Sequence, residues 1–304
     1  MIKLPEQFIK TIKDIHKEKG EIWLENFEDL CKKCEIRWNM KILSPFELSY
    51  NFVAPIIIDG QSNAVIKLAV PNAEFNDEIE ALNECKDADF VKVIDSDPDE
   101  GILILEQLLP GNTLASIENE EEAMLIAVKV MKNLWKKPTT LTKLPTILNR
   151  EKSFSRIVEK FPNGIGPFSK DTLLDAFSTF KEMNKSQTTQ YLLHGDLHHY
   201  NLLNAGENTW KVIDPKGLVG EREYDLIQFL LNNLEGKDIS KTLERRIERL
   251  VNELDLNKER LLLWGYSHAV LSTCWSLEDE GTYNEYFFNA INIFKQLHKK
   301  LYSC

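Results

Sequence analysis

The chain has 304 residues, 43% of them hydrophobic and 28% charged, and a formal net charge of −11. That length allows two lobes with their own cores but not three independent domains, and the composition is that of an ordinary soluble globular protein. The acidic balance argues against nucleic acid as a partner, because phosphate backbones attract basic surfaces, whereas a cationic small molecule is compatible with it.

At the N-terminus, Met1-Ile-Lys-Leu-Pro5 lacks the apolar stretch of a secretory signal, and no apolar run downstream reaches the length of a membrane span. The expected location is therefore the cytoplasm, with no membrane partner. Phe8, Ile12 and Ile15 recur at helical spacing and predict a helix over 5–19 with Gly20 as its stop; a second helix is expected over 22–34. Cys31 and Cys34 have CxxC spacing, but no second pair lies near them, and they share an apolar face with Phe27 and Leu30, so core packing is the better reading. With Cys85, Cys274 and Cys304 the count is five, an odd number that argues for reduced thiols.

From residue 42 the period becomes strand-like. Strands are predicted over 46–50, 52–58 and 64–69, with Asp59-Gly60 as a hairpin turn between the last two. Lys67 stands alone inside the apolar run Ala64-Val-Ile-Lys-Leu-Ala69. Such a lysine is either a snorkelling edge residue or the strand lysine with which a kinase bridges the nucleotide phosphates and a helix glutamate. A helix over 75–82 supplies Glu78 and Glu80 beside the buried stripe of Ile79 and Leu82; Glu78 is the preferred partner and Glu80 the alternative. Strands over 91–95 and 102–106 complete a small open sheet, and residues 106–112 then break into turn chemistry that marks a hinge. Adenine is expected against the backbone near Gln107 and Leu108. The turn that should cover the phosphates, Leu48-Ser-Tyr-Asn-Phe-Val53, has no glycine, so Ser49, Tyr50 and Asn51 are expected to do so with backbone donors. The expected division is a nucleotide lobe over 1–106, with two leading helices, and a helical lobe over 107–304.

In that second lobe helices are predicted over 120–137, 146–161 and 171–185, and again over 224–234, 239–254, 258–276 and 283–302. Between these groups lies Tyr191-Leu-Leu-His-Gly-Asp-Leu-His-His-Tyr-Asn-Leu-Leu203, followed by Trp210-Lys-Val-Ile-Asp-Pro-Lys-Gly217. Apolar runs at 191–193 and 211–213 read as one small hairpin flanked by Asp196, Asn201 and Asp214. Phosphoryl transfer needs this order: an Asp to orient the acceptor hydroxyl, then an Asn and a second Asp to hold Mg²⁺ against the phosphates. For any one of them alone a turn or cap is the better reading; the combination is specific. A rival chemistry assigns His194, Asp196, His198 and His199 to a zinc hydrolase. It stands well behind, because the kinase pattern already uses Asp196 and treats His194 as a loop-fixing residue.

With these motifs in hand the chain resembles the aminoglycoside phosphotransferase superfamily, and within it the streptomycin and hydroxyurea phosphotransferase branch. The resemblance is carried by His194-Gly-Asp-Leu-His-His-Tyr-Asn201, Ile213-Asp-Pro-Lys-Gly217, Gly220-Glu221 with Tyr224-Asp225, and Trp275-Ser-Leu-Glu-Asp279. It implies an α+β, protein-kinase-like two-lobed fold and ATP-dependent phosphorylation of a small hydroxyl compound. It further implies Asp196 as base, Asn201 and Asp214 as Mg²⁺ ligands, and Lys67 with Glu78 as phosphate clamp. Tyr200 departs from the smaller or acidic residue common among relatives, and Asp225 is expected to hold the catalytic loop or to serve as a plain helix cap. Gly195 stands where protein kinases carry an arginine, and ten residues separate Asp214 from Asp225, too few for a protein-docking segment. A small acceptor follows. Glu221, Trp275, Glu278 and Asp279 are the expected substrate residues, offering carboxylates and an aromatic wall to a cationic sugar such as streptomycin. The alternatives are a metabolite kinase of the same fold and a nucleotide-binding module without turnover. The expected assembly is a monomer or homodimer.

Overall fold

A computed structural model describes residues 2–86 and 89–303. Three helices lead: α1 (Glu6–His16), α2 (Glu18–Glu25) and α3 (Phe27–Arg37). Two were expected. The break falls at Lys17, whose φ of 52° interrupts the helical path, while Gly20 lies inside α2 rather than stopping α1. Gly20 is small for another reason, since a Cβ there would sit 2.5 Å from the Ile12 carbonyl oxygen where α1 crosses close by.

The sheet comprises β1 (Met40–Ile42), β2 (Phe52–Ile58), β3 (Ser62–Leu68), β4 (Val93–Asp97) and β5 (Ile102–Glu106), in the order β1-β2-β3-β5-β4, with every pairing antiparallel. Helix α4 (Ala73–Glu84) joins β3 to β4 and is capped by Asn72, whose side chain accepts from the Phe75 amide. No strand forms over 46–50. Pro45 cannot donate to a ladder, and the segment only touches β2 through Phe46 N to the Val53 carbonyl before bending at 49–51.

Strand alternation gives the sheet two different faces. Ala64, Ile66 and Leu68 of β3, with Ile102 and Ile104 of β5, pack on α1–α3 as one apolar cluster. Leu103 and Leu105 point the other way, into a larger core that continues through α4 into the helical lobe. Val65 and Lys67 share that second face. Cys31 and Cys34 belong to the first cluster, where burial pushes their thiols up to about 12 and about 11, and Cys85 and Cys274 are likewise buried and free. Cys304 lies outside the described residues.

The helical lobe contains α5 (Glu120–Met131), α6 (Ile147–Lys160) and α7 (Lys170–Lys185), with the short ribbon β6 (Gly164–Ile165) and β7 (Phe168–Ser169) between the last two. Next come β8 (Tyr191–Leu193), β9 (Leu202–Asn204), β10 (Trp210–Val212) and β11 (Leu218–Gly220). The expected single hairpin is replaced by two ribbons: β9 pairs with β10, and β8 pairs with β11. Nesting one ribbon inside the other brings the 194–201 and 213–217 loops together at one end. The chain closes with α8 (Arg222–Asp225), α9 (Ile227–Leu231), α10 (Ile239–Leu254), α11 (Lys258–Asp279) and α12 (Glu285–Lys300). Among the described residues no helix is long and apolar enough to cross a membrane.

Candidate active site

Lys67 enters from β3, where its register partners are Val53 and Leu103. Its ammonium lies 2.7 Å from both carboxylate oxygens of Glu78 on α4 and also contacts Asp214 of the helical lobe. Burial opposes the charge on Lys67, but Glu78 and Asp214 outweigh it and hold the lysine above its ordinary value. Partial burial likewise opposes ionisation of Asp214, yet the field and hydrogen bond of Lys67 prevail and lower it to about 2. Burial pushes Glu78 up to about 7, with Lys67 offsetting part of that rise. One cation thus stitches both lobes together. Glu80, the alternative partner, instead accepts from Lys143 N and Thr142 Oγ1 and fastens the segment entering α6.

These groups border a cavity of about 710 Å³. Its walls include Lys67, Glu78 and Asp214, the bend at Ser49, Tyr50 and Asn51, and the hinge at Gln107 and Leu108. Apolar residues that the sequence reading did not single out line it as well: Val53, Val65 and Leu105 from the sheet and Leu203 and Ile213 from the helical lobe, a lining suited to a flat aromatic base. Their signal lay in strand alternation, which aims every second residue at one face. Phe46, Tyr50, Leu109 and Tyr200 are exposed hydrophobic side chains at its rim.

Asp196 and Asn201 stand on the adjoining 194–201 loop rather than in that lining. The loop is held from several sides. His194 Nε2 donates to the Ile213 carbonyl at 2.9 Å and its Nδ1 accepts from Asp196 N at 3.2 Å, which ties the two loops in a single neutral tautomer. Asp225 accepts from His194 N (3.0 Å), Gly195 N (2.7 Å) and Trp135 Nε1 (2.9 Å), with burial pushing its pKa up against these donors. Asn201 Nδ2 donates to the Asp196 carbonyl at 3.0 Å, leaving its own amide oxygen uncommitted among the described residues. Gly195 has φ of +80°, and a Cβ there would press within 3.3 Å of Lys216 Cβ, so the turn before Asp196 favours glycine. Asp214 itself holds φ of 58°, an uncommon conformation for a residue with a Cβ. Lys216 pairs with Glu74 on the first turn of α4, a second bridge between the lobes.

The zinc-hydrolase alternative does not fit this geometry. His194 is committed to Ile213, His199 is stacked 4.2 Å from Phe229 in the core, and only His198 remains near Asp196. Among the described residues no cluster of three His, Cys, Asp or Glu side chains is disposed to hold a metal.

None of the four expected substrate residues lines this cavity. Glu221 is 5% exposed, and its Oε2 lies 2.6 Å from Arg260 and accepts from Trp264 Nε1 at 2.9 Å; it is an internal strut. Glu278 is already neutralised by Lys160 at 2.9 Å and Arg156 at 3.3 Å. Trp275 donates to Ser153 Oγ at 2.9 Å beneath the Arg150 guanidinium, and Asp279 is exposed at the end of α11.

Comparisons with known proteins agree with this architecture. Among solved structures, choline kinase LicA from Streptococcus pneumoniae matches with a TM-score of 0.64 over 90% of this chain and 98% of that one, at 15% identity. Aminoglycoside phosphotransferase APH(4)-Ia, in a ternary complex with ADP and hygromycin B, matches with a TM-score of 0.61 over 88% and 97%, at 12% identity. These likenesses establish the protein-kinase-like fold. In sequence, streptomycin 6-kinase of Streptomyces griseus is 25% identical over 287 residues, covering 91% of this chain and 92% of that protein. Hydroxyurea phosphotransferase of Kitasatospora aureofaciens is 25% identical over 249 residues, 80% and 71% of the two chains. The family model for aminoglycoside/hydroxyurea antibiotic resistance kinases matches residues 47–280. The chain belongs to that family and is a phosphotransferase acting on a hydroxyl group of a small molecule.

Proposed function

We propose that the protein is an ATP- and Mg²⁺-dependent kinase whose acceptor is an aminoglycoside, streptomycin first among them. One observation carries the reading: Lys67 joins Glu78 to Asp214 in the lining of a cavity with apolar walls, the clamp that a nucleoside triphosphate requires. Streptomycin is favoured by the streptomycin 6-kinase of Streptomyces griseus, whose match extends over nearly the whole of both chains.

The oxygen-rich donor set fits a hard cation. The Asn201 amide oxygen is uncommitted, Asp214 is ionised and 45% exposed, and Mg²⁺ needs only one or two protein oxygens besides phosphates. Asn201 and Asp214 would hold it, and when bound it supplies neutralisation of the phosphate charge. Lys67 fixes the phosphates, Glu78 aims Lys67, and backbone donors of 49–51 cover the triphosphate from above. Asp196 orients the acceptor hydroxyl and takes its proton as the new oxygen–phosphorus bond forms and the bond to the departing nucleoside diphosphate breaks. Such an enzyme draws on the ATP of the cytoplasm.

A second reading, a kinase for a small metabolite, is favoured by the commitment of Glu221 and Glu278 to arginine and lysine partners, which leaves fewer free carboxylates for a polycation. A coupled ADP-release screen with streptomycin, hydroxyurea, other aminoglycosides, sugars and amino alcohols separates the two. Selective turnover of streptomycin supports the first reading; turnover of an amino alcohol or sugar alone overturns it.

A further inference from the structure

The paired histidines of the catalytic loop diverge. His199 turns inward onto Phe229, whereas His198 stays beside Asp196, with 22% of its side chain exposed against 29% for Asp196. The His198 Nε2 atom lies 4.0 Å from Asp196 Oδ2. That gap is too long for a hydrogen bond, but one oxygen placed about 2.8 Å from each atom would bridge it. We propose that His198 is the second group that binds the acceptor hydroxyl, its Nε2–H donating to the oxygen whose own proton is given to Asp196 Oδ2.

The tautomer follows from the surroundings. His198 Nδ1 is buried with no partner among the described residues, so a proton there would be an orphaned donor, while an unprotonated Nδ1 leaves only an unfilled acceptor. Burial also holds the ring below the ordinary histidine value, against the pull of Asp196, which keeps it neutral near pH 7. A neutral ring with its proton on Nε2 is thus aimed at the bridging position. The consequence is directional. With its carbon substituent anchored, its proton on Asp196 and one lone pair on His198, the acceptor oxygen has a single lone pair left, and that one faces the phosphorus. When the oxygen–phosphorus bond forms, the hydroxyl proton passes to Asp196 and the nucleoside diphosphate departs; His198 neither gains nor loses a proton.

This inference rests on Asp196 being the group that orients the acceptor, and its test separates the two. Long-range proton–nitrogen correlation spectra of the histidine rings in the full chain, assigned with His198→Gln, are expected to show His198 as the Nε2–H tautomer near neutral pH and to change with Asp196→Asn. A Nδ1–H tautomer or a charged ring overturns the proposal. With MgATP and streptomycin, His198→Ala should lower kcat about 10- to 100-fold, the size of one hydrogen bond at a charged site, with KM for ATP unchanged. His198→Gln, whose amide nitrogen reaches the Nε2 position, should restore most of the rate; His198→Asn, whose nitrogen reaches only the Nδ1 position, should not. Loss of rate in all three in proportion to lost thermal stability means a structural role and overturns the proposal. If the unsubstituted protein transfers nothing to streptomycin, the acceptor assignment falls, and the tautomer still decides the role of His198.

Discussion

Asp225 carries the most consequential structural prediction. Its carboxylate is 3% exposed and accepts from the two amides that precede Asp196 and from the Trp135 indole, at 2.7 to 3.0 Å. Asp225→Ala strands these buried donors, each worth roughly 1–3 kcal/mol when left unpaired. Taking the low end for the three donors, because water can enter the vacated space, the loss is about 3–5 kcal/mol. At roughly 2–4 °C per kcal/mol, the melting temperature should fall by about 6–20 °C. Asp225→Asn keeps the shape but turns an amide NH₂ toward either Gly195 N or the His194 and Trp135 donors, so it should recover less than half. Guanidinium denaturation measures the stability. The transfer rate of the fraction still folded should fall by at least about tenfold, since a loosened Gly195 misplaces Asp196. Stability within about 1 kcal/mol of the unsubstituted protein, with normal transfer, would refute the reasoning.

Other outcomes follow from particular contacts. Asp214→Asn should abolish the Mg²⁺ dependence of nucleotide affinity in a fluorescence titration, and an unchanged dependence removes Asp214 from the metal site. Glu278→Gln should leave the acceptor KM unchanged and cost about 0–1 kcal/mol, as expected for a pair with exposed cations; a large rise in KM would restore Glu278 as a substrate residue. His199 is buried and held neutral, its value lowered from 6.5 to about 3 chiefly by desolvation. Its folded pKa is depressed, so its contribution to stability is complete above pH 6.5 and is lost as the unfolded chain takes up a proton below it. Between pH 6.5 and 5 the unsubstituted protein should lose about 1.5 kcal/mol more than His199→Leu in denaturation curves; parallel losses would contradict the buried neutral ring.

Much of this site was written in local sequence. Asp196, Asn201 and Asp214 carry a spacing that few other chemistries need, and Lys67 stands out because a lone cation in an apolar strand demands a partner. The two-lobed fold and the phosphotransferase class were legible from the same residues. Pairings set by distant segments were not. Nothing local distinguishes one hairpin from two nested ribbons, because β8 pairs with β11 across the whole intervening β9–β10 ribbon. The break between α1 and α2 depends on the backbone of Lys17, a residue with no turn preference, and Gly20, three residues on, misled. Glu221 and Glu278 looked free because their neutralising partners, Arg260 and Lys160, lie 39 and 118 positions away. Helical spacing left Glu80 open as an alternative to the preferred Glu78, and the contact of Lys67 with α4 settles on Glu78.

The division of labour in the cleft is tested most directly on one variant, Asp196→Ala, by measuring MgATP affinity at equilibrium and phosphoryl transfer side by side. Unchanged affinity with transfer reduced about 10²- to 10⁴-fold is the expected result, because Asp196 handles the acceptor and not the nucleotide. Equal losses in both, or transfer that survives, would contradict it.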